Sequence, residues 1–316
     1  MKKLFLPILF CLSLVSCSKV TEYEGLFYAF GQTSIHIKTY QGSDDNIQEL
    51  RRILDTFSME TDNYLESNLK GVYTINNTSE NVTVSENLYS CLKQANSLTN
   101  ELDSYFSLFI GSLSKAWKTA LENNQILSQE TIESELLKIQ STSLSFLENN
   151  TVQKSGNAEI DLGAFAKGYA LDLAKKYFQD KSISQYIVDA GSSSILLGEK
   201  NTNDGLYTIK IKDLTETYIQ AKNICISTSS VHEQSTVING VRYTHIVSPE
   251  TGEAKVVNDT VVVLSEGGAL GDSLSTSMML MSIPEVLSIE EEYHVKAIVI
   301  RDHKVTYSHK DIQLIY

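Results

Sequence analysis

A carboxylate and a hydroxyl stand four residues apart near the end of the chain, at Asp272 and Thr276. On a helix this spacing places both side chains on one face. Their oxygens are hard ligands of the kind that Mg²⁺ prefers, and this ion completes its octahedron with water and substrate phosphate. The pair therefore predicts a Mg²⁺ site. The alternative is that Asp272 caps the helix and Thr276 bonds back to it.

A second segment, residues 159–170, is typical of a strand that turns into a helix. An apolar strand is predicted to end at Asp161, Gly163 allows a tight turn, and alanines then recur at every fourth position over 166–174. Backbone N–H groups at such a helix start can bind phosphate, and Lys167 would add a positive charge. Helix packing alone also explains the glycine and the alanines, so both interpretations stay open.

Two loops complete the set of candidate segments. Small polar residues follow a predicted strand at 189–194 and would let a ligand approach the backbone near Gly191, although a plain turn has the same composition. His245 lies in a predicted strand, 243–247, that runs into a turn at 249–252. Histidine changes charge near neutral pH, which suits a general base if a reacting hydroxyl is within reach and otherwise leaves a structural role.

The overall composition is that of an acidic globular protein. The 316 residues include 39 acidic and 26 basic side chains, carry a formal net charge of −13, and are 42% hydrophobic. This hydrophobicity argues against disorder. The acid excess argues against binding nucleic acid, which needs a basic face to release counterions from the phosphates. A ligand that carries phosphate would therefore need a metal ion or a local cluster of donors.

Hydrophobic periodicity predicts helices in the first half of the chain and strands in the second. Apolar residues recur at three and four positions over 47–57 and 88–102, and Ser128 is placed to cap a third helix. Strand-like runs lie at 186–188, 195–197, 207–211, 224–226, 243–247, 260–264 and 297–300. No repeat and no Gly/Ser-rich linker divides the chain, so we expect one α+β domain over residues 25–316.

The first residues are similar to a bacterial export signal. Two lysines precede an apolar run, 4–15, that is too short to span a bilayer, and the Leu-Val-Ser before Cys17 resembles a lipobox. Cleavage would remove residues 1–16. Lipidation of Cys17 would then anchor the protein to a membrane outside the cytoplasm through a tether at 17–24. An ordinary secretory signal with a chance cysteine is the alternative.

Two cysteines remain after the signal and Cys17, and they lack the paired spacing of a zinc site. Cys91 lies on an apolar helical stripe and Cys225 in the run Ile-Cys-Ile. Both are therefore expected to be small buried hydrophobic residues. A disulfide between them stays open.

In this order along the chain, the four segments resemble the ApbE family of exported FAD:protein FMN transferases. The family's Asp-Leu-Gly-x-x-Ala-Lys-Gly-Tyr signature is matched in full by residues 161–169, and its His-Ile-x-x-Pro-x-Thr-Gly element by 245–252. Further elements are matched in part at 30–32, 104–107, 116–117, 228–230 and 272–276. The resemblance covers nearly the whole chain after the signal.

The resemblance implies a fold of two packed α+β halves with FAD between them. It also implies a Mg²⁺ beside the FAD pyrophosphate, held by the main-chain oxygen of Ala164 and by the side chains of Asp272 and Thr276. The residues that it implies around the flavin nucleotide are Phe30, Tyr105, Phe106, Ser107, Asp161, Lys167, Gly191, Thr228 and Ile246.

Several positions depart from the family pattern. Phe30 stands where the family has Met, and Ser107 where it has Asp. The other departures are serines in place of glycines, at positions 104, 192, 193 and 230. If Ser107 has lost a contact to adenine or ribose, affinity for FAD would fall while the chemistry remains.

The function implied by the resemblance is transfer of FMN from FAD to a Thr or Ser hydroxyl of an acceptor flavoprotein of the cell envelope, with release of AMP. His245 would deprotonate that hydroxyl, and Asp272 would bind the metal and is the alternative base. Three alternatives stay open: hydrolysis of FAD to FMN and AMP, binding of FAD without catalysis, and a purely structural envelope lipoprotein.

Overall fold

The computed structural model describes residues 21–66, 70–232 and 234–316. The predicted signal, the predicted lipidation site at Cys17 and part of the tether lie outside these residues. The first strand begins at Tyr23, so the domain boundary predicted after residue 24 falls inside an element of the fold.

Eight α-helices lie in the described part of the chain. They are α1 (Asp44–Thr61), α2 (Val72–Asn76), α3 (Glu86–Leu102), α4 (Gly111–Glu122), α5 (Gln129–Ser141), α6 (Ala166–Asp180), α7 (Gly268–Met278) and α8 (Ile283–Tyr293). The three helices predicted from periodicity are α1, α3 and α5, and Ser128 caps α5 by accepting a hydrogen bond from the N–H of Thr131. Within the described ranges, no helix combines the length and apolar character needed to cross a membrane.

Sixteen strands accompany these helices in the described ranges. They are β1 (Tyr23–Ala29), β2 (Thr33–Thr39), β3 (Val82–Thr83), β4 (Ser143–Leu147), β5 (Thr151–Ser155), β6 (Tyr186–Ala190), β7 (Ser194–Leu197), β8 (Tyr207–Lys210), β9 (Tyr218–Ala221), β10 (Ile224–Ser230), β11 (Ser235–Ile238), β12 (Val241–Thr244), β13 (Thr260–Ser265), β14 (Lys296–Arg301), β15 (Lys304–Ser308) and β16 (Leu314–Ile315). Helices and strands thus share one domain, and the predicted α+β class is confirmed.

One eight-stranded antiparallel sheet organises the domain, in the order β1-β2-β6-β7-β10-β13-β14-β15. The helices α6 and α7 pack on one of its faces, and the small sheet β16-β9-β8 covers the other. β13 shows the consequence, because all six of its residues are buried. Val261 and Val263 join the large core on the helical side, whereas Val262 and Leu264 join the smaller core on the opposite side. A sheet covered on both faces explains why this strand is a continuous apolar run.

The predicted strand at 243–247 is wrong at its end, because β12 stops at Thr244. The Thr244 hydroxyl donates to the carbonyl of Ile246 and accepts from the N–H of the same residue, both at 3.1 Å. Such a local bond between a side chain and the backbone competes with the ladder of a sheet. His245 therefore lies in a turn after the strand.

The strand predicted to end at Asp161 is also absent. Residues 158–162 form no ladder, although their backbone is held in place. The Asn76 amide bonds both backbone groups of Ile160, at 2.8 and 2.9 Å, and the N–H of Asp161 donates to the carbonyl of Leu108 at 2.9 Å. The Asn76 side chain and a single backbone bond thus satisfy the backbone groups that a neighbouring strand would otherwise bond. An apolar run in the sequence does not show which of these partners a segment has.

Candidate functional site

A cleft of about 570 Å³ is bounded by elements from distant parts of the chain. Its walls are the loop before α4, one face of α4, the segment that leads into α6, the ends of β7 and β10, the strand β11, the turn after β12 and the buried face of α7. Except for Phe30 and Gly191, every described residue that the sequence predicts for the site lines this cleft.

Asp272 is a buried carboxylate in the wall of the cleft. Its Oδ1 accepts hydrogen bonds from the hydroxyls of Ser194 (2.8 Å) and Ser227 (2.7 Å), and its Oδ2 accepts one from the N–H of Gly168 (2.7 Å). Burial raises the pKa of this carboxyl, while the Lys167 ammonium and the three donors oppose the rise. The side chain is held in one orientation by neutral donors. Oδ1 uses both of its lone-pair directions for the two hydroxyls, whereas Oδ2 retains one direction for a cation.

The helices α6 and α7 meet at two glycines. A Cβ atom on Gly168 would lie 2.1 Å from the carbonyl oxygen of Gly268, and one on Gly268 would lie 2.3 Å from the carbonyl oxygen of Gly168. Asp172 of α6 then accepts hydrogen bonds from the N–H groups of Gly268 (2.6 Å) and Ala269 (2.9 Å) in the first turn of α7. A carboxylate stabilises these otherwise unpaired donors. The helix that carries the predicted metal ligands is thereby fixed against α6.

Thr276 lines the cleft with Asp272, as their spacing on α7 predicted. The Ser229 hydroxyl lies 3.1 Å from that of Thr276 and 2.9 Å from that of Ser275. No group of three or more His, Cys, Asp or Glu residues in the described ranges could hold a metal ion. The converging donors are one carboxylate and several hydroxyls, with Ala164 in the same wall. This set of hard oxygens fits Mg²⁺, which keeps several waters and phosphate oxygens as ligands.

Two of the backbone donors at the start of α6, which the sequence suggested for phosphate, are already bonded within the protein. The N–H of Ala166 bonds the carbonyl of Leu162 at 2.7 Å, and the N–H of Gly168 is bonded to Asp272. A carboxylate of the protein thus already uses one donor that a bound phosphate would need. The Lys167 side chain does line the cleft, so it is the part of this prediction that the structure brings to the site.

His245 is exposed in the cleft, just after β12. Its Nδ1 lies 3.3 Å from the carbonyl oxygen of Gln234. Because a carbonyl oxygen only accepts, this contact requires a proton on Nδ1 and leaves the lone pair of the neutral ring on Nε2. β11 begins at the residue after Gln234, so the imidazole is tied to the base of the β11–β12 hairpin.

Aromatic side chains form part of the cleft wall. Trp117 donates its indole N–H to the carbonyl of Gly252 (2.7 Å) and stacks on Tyr243, with ring centroids 5.6 Å apart. The Tyr105 hydroxyl donates to Glu285 at 2.5 Å, and this bond raises the pKa of Tyr105 to about 12. Both rings are therefore fixed by polar partners as well as by packing, which suits a surface that receives a planar ligand.

Phe30 and Gly191 are the two predicted residues that do not line the cleft. Phe30 packs against Phe57, with ring centroids 6.2 Å apart, and its N–H donates to the Ser58 hydroxyl at 2.6 Å. Gly191 occupies the turn between β6 and β7 with a φ of +69°, a backbone conformation that favours glycine. The cleft is reached instead by Ser193, the last residue of that turn, and by Ser194, the first residue of β7.

No role was predicted from the sequence for Ser230, which stands where the resembled family has glycine. Ser230 lines the cleft, and its hydroxyl donates to Asp213 at 2.7 Å. Thr260 donates to the same carboxylate oxygen at 2.6 Å. Burial alone would raise the pKa of Asp213, but these hydroxyls and His232 hold it below its ordinary value. The substitution therefore links the end of β10 to the segment between β8 and β9.

Comparison with solved structures shows the same architecture. The crystal structure of the ApbE protein from Thermotoga maritima superposes with a TM-score of 0.76 at 25% sequence identity, over 93% of this chain and 96% of that one. The model of the ApbE family matches residues 32–299. The chain belongs to the ApbE family.

Two curated relatives cover nearly the full length of the chain. The FAD:protein FMN transferase of Vibrio cholerae is 24% identical over 306 residues, which are 92% of this chain and 90% of that protein. The FAD:protein FMN transferase of Chlamydia pneumoniae is 25% identical over 306 residues, 92% of this chain and 95% of that protein.

Proposed function

We propose that this chain is an FAD:protein FMN transferase that moves FMN from FAD to a Thr or Ser hydroxyl of an exported acceptor protein and releases AMP. The observation that carries the proposal is the cleft itself. It brings Asp272, Thr276, Lys167 and His245 to one cavity, although they come from three separate segments of the chain. The family membership and the names of both full-length relatives support the same activity.

The metal part of the proposal rests on the oxygen donors of α7 and of the turn before α6. Asp272, Thr276 and the main-chain oxygen of Ala164 would hold Mg²⁺. When bound, this ion would supply charge neutralisation to the pyrophosphate and to the departing AMP. Lys167 adds a positive charge to the same cavity, which explains how an acidic protein could accept a polyanionic substrate.

The proton transfer is assigned to His245. With Nδ1–H donating to the carbonyl of Gln234, Nε2 would accept the proton of the acceptor hydroxyl. The hydroxyl oxygen would form a bond to the phosphorus on the FMN side of the pyrophosphate. The bond from that phosphorus to the bridging oxygen would break, and AMP would leave with the bridging oxygen and its electron pair. The product is a phosphodiester between FMN and the acceptor side chain.

The test is incubation of the purified protein with FAD, Mg²⁺ and a flavin-accepting protein. We expect a covalent FMN adduct, measured by intact mass and by in-gel flavin fluorescence. His245→Gln should slow adduct formation by about 10²- to 10⁴-fold and leave FAD affinity unchanged. Thr74→Ala, on the short helix α2 and outside the cleft lining, is the control for a substitution away from the site and should leave adduct formation unchanged. If the unmodified protein forms no adduct with an intact acceptor, the proposal is refuted.

A second activity, hydrolysis of FAD to FMN and AMP, is favoured by one observation. His245 is exposed, so water can reach the same base when no acceptor is bound. Free FMN measured with and without acceptor separates the two activities. Transfer as the main reaction predicts that acceptor suppresses the release of free FMN.

We also propose that the protein is held at a bacterial membrane outside the cytoplasm through lipidated Cys17. The motif before Cys17 supports this location. Cys17→Ala should move the protein from the membrane fraction to the soluble fraction of cells. Membrane association that survives this substitution would contradict the anchor.

A further inference from the structure

One edge strand of the molecule borders the cleft. β11 pairs only with β12 among the described strands, and its residues Ser235 and Thr236 line the cavity. The other edge strands of the described sheets, such as β1 and β15, contribute no residue to it. An edge strand presents unpaired backbone groups to any extended chain that approaches.

The register of the hairpin shows which backbone groups are free. Asn239 and Gly240 form a two-residue turn with φ of +52° and +80°, which is typical of type I′. In such a hairpin Ile238 and Val241 exchange hydrogen bonds, whereas the groups of Val237 point away from β12. The backbone N–H and C=O groups of Ser235, two residues earlier, also point away from β12.

The opposite strand supports this assignment. Thr244 pairs with Ser235, and its N–H turns away from β11 to donate to the carbonyl of Ala254 at 2.9 Å. On the outer side of β11, the backbone groups of Ser235 and Val237 have no hydrogen-bond partner among the described residues. Two donors and two acceptors thus stand in a row beside the cleft.

We propose that the acceptor polypeptide binds as an extended strand along the outer edge of β11, and that this places its reacting hydroxyl in the cleft. The inference rests on the proposed function, which requires a polypeptide side chain at His245. An extended chain supplies the complementary donors and acceptors, and every second side chain of an added strand points to the same face. The edge is continuous with the catalytic cavity, because the carbonyl before β11 also holds the His245 ring.

Exposed side chains of the hairpin add apolar contact. Val237 is 62% exposed and Val241 is 41% exposed, although both are β-branched residues of a strand. An acceptor strand beside β11 would cover Val237 first. A second copy of this chain is the competing occupant, but a free edge of only four residues makes a small self-pairing surface, and such pairing would obstruct the entrance of each cleft.

The decisive variant is Val237→Pro. Proline removes the outward N–H, and the pairing of β11 with β12 uses neither backbone group of this residue, so the hairpin is retained. FMN transfer to the acceptor protein should fall about tenfold or more, whereas FAD affinity and hydrolysis of FAD to free FMN stay unchanged. Val237→Thr keeps the N–H and is the matched control, with transfer close to that of the unmodified protein.

A second variant and a direct measurement complete the test. Val237→Lys leaves the backbone intact and places a charge on the edge, so it should also slow transfer if Val237→Pro misfolds. Hydrogen exchange on the full protein should show protection of the Ser235 and Val237 amides when the acceptor protein is added. Transfer by all variants at the unmodified rate, or transfer without protection of these amides, overturns the inference.

The outcomes also separate this inference from the proposed function. If the unmodified protein makes no adduct, the proposed function is refuted, and the inference of a bound acceptor strand fails with it. Adduct formation that is insensitive to both edge variants refutes the inference alone. Sedimentation that shows a dimer of the unmodified protein and a monomer of Val237→Pro, with equal transfer, would assign the edge to self-association and refute it too.

Discussion

Asp172 and Asp272 each accept backbone hydrogen bonds at the start of the helix that carries the other. Asp172 on α6 bonds the first two N–H groups of α7, at 2.6 and 2.9 Å, and Asp272 on α7 bonds the N–H of Gly168 in the first turn of α6, at 2.7 Å. The two carboxylates thus fix the helices reciprocally, and the direct glycine contact leaves little room for the helices to slide. The position of the proposed metal ligand depends on a residue that does not line the cleft.

This reciprocal arrangement makes Asp172 a positioning residue with a testable effect. Asp172→Asn loses an acceptor for one of the two N–H groups and should lower the free energy of unfolding by about 1 kcal/mol. The Mg²⁺ concentration needed for half-maximal FAD turnover should rise about tenfold, because the helix that presents Asp272 is less constrained. Turnover measured over a Mg²⁺ series, together with chemical denaturation, checks both effects.

A matched control for this substitution is Ser128→Ala. Ser128 caps α5 through a bond to the N–H of Thr131 at 3.2 Å, and it does not line the cleft. Its loss should lower stability to a similar extent without changing the Mg²⁺ requirement. An identical Mg²⁺ response in the two variants would show that Asp172 acts on stability alone.

Local patterns predicted those elements whose structure is determined locally. The apolar stripe of α1 is buried at Ile47, Leu50, Leu54 and Phe57, all of which the periodicity identified. The pair Asp272 and Thr276 shares a helix face because a four-residue spacing is sufficient to place it there.

Contacts between distant residues were not predictable in the same way. The role of Asp172 could not be predicted from the sequence, because the N–H groups that it bonds lie 96 and 97 residues further along the chain. Asp272 accepts the hydrogen bond of the Gly168 N–H, a donor of the predicted phosphate site that lies 104 residues earlier in the chain. Neither relationship leaves a periodic or compositional signal, since it arises only when α6 and α7 pack together.

The glycine contact between α6 and α7 predicts a strong effect of a single methyl group. Gly168→Ala would place a Cβ 2.1 Å from the backbone oxygen of Gly268, where no side chain can rotate away. We expect a loss of about 1 to 3 kcal/mol in the free energy of unfolding and a lower FAD turnover, since the helices must separate. Gly267→Ala is the control, because its nearest contact would be 3.7 Å, in ordinary van der Waals range. Comparable denaturation midpoints for the two variants would refute the tight contact.

Glu60 is a buried carboxylate outside the cleft, and its ionisation is predicted to lower the stability of the fold in a pH-dependent way. Burial raises the pKa of its carboxyl, and a bond from the Ser85 hydroxyl at 2.8 Å opposes the rise. A raised pKa in the folded state means that ionisation destabilises the fold. The penalty is absent below the ordinary value of 4.5, grows as the pH rises through the folded-state pKa, and is complete above it.

Glu60→Gln removes this charge and retains an acceptor for Ser85. We therefore expect the variant to have a higher Tm than the unmodified protein at neutral pH, with the difference vanishing below about 4.5. Thermal unfolding of both proteins across the pH range is the measurement. A Tm difference that is constant with pH would exclude a charge effect, and FAD turnover should be unchanged because Glu60 does not line the cleft.

The single tryptophan provides a direct measure of ligand binding that does not depend on turnover. Trp117 lines the cleft, and no other tryptophan occurs in the sequence. FAD should therefore quench the indole fluorescence in a saturable way, and Trp117→Phe should abolish the signal. Asp272→Asn should weaken the apparent affinity for FAD in the presence of Mg²⁺. In excess chelator the affinity should not change, because Asp272 then has no metal ion to bind. Equal weakening in both conditions would mean that Asp272 acts through the packing of α7 rather than through a metal ion.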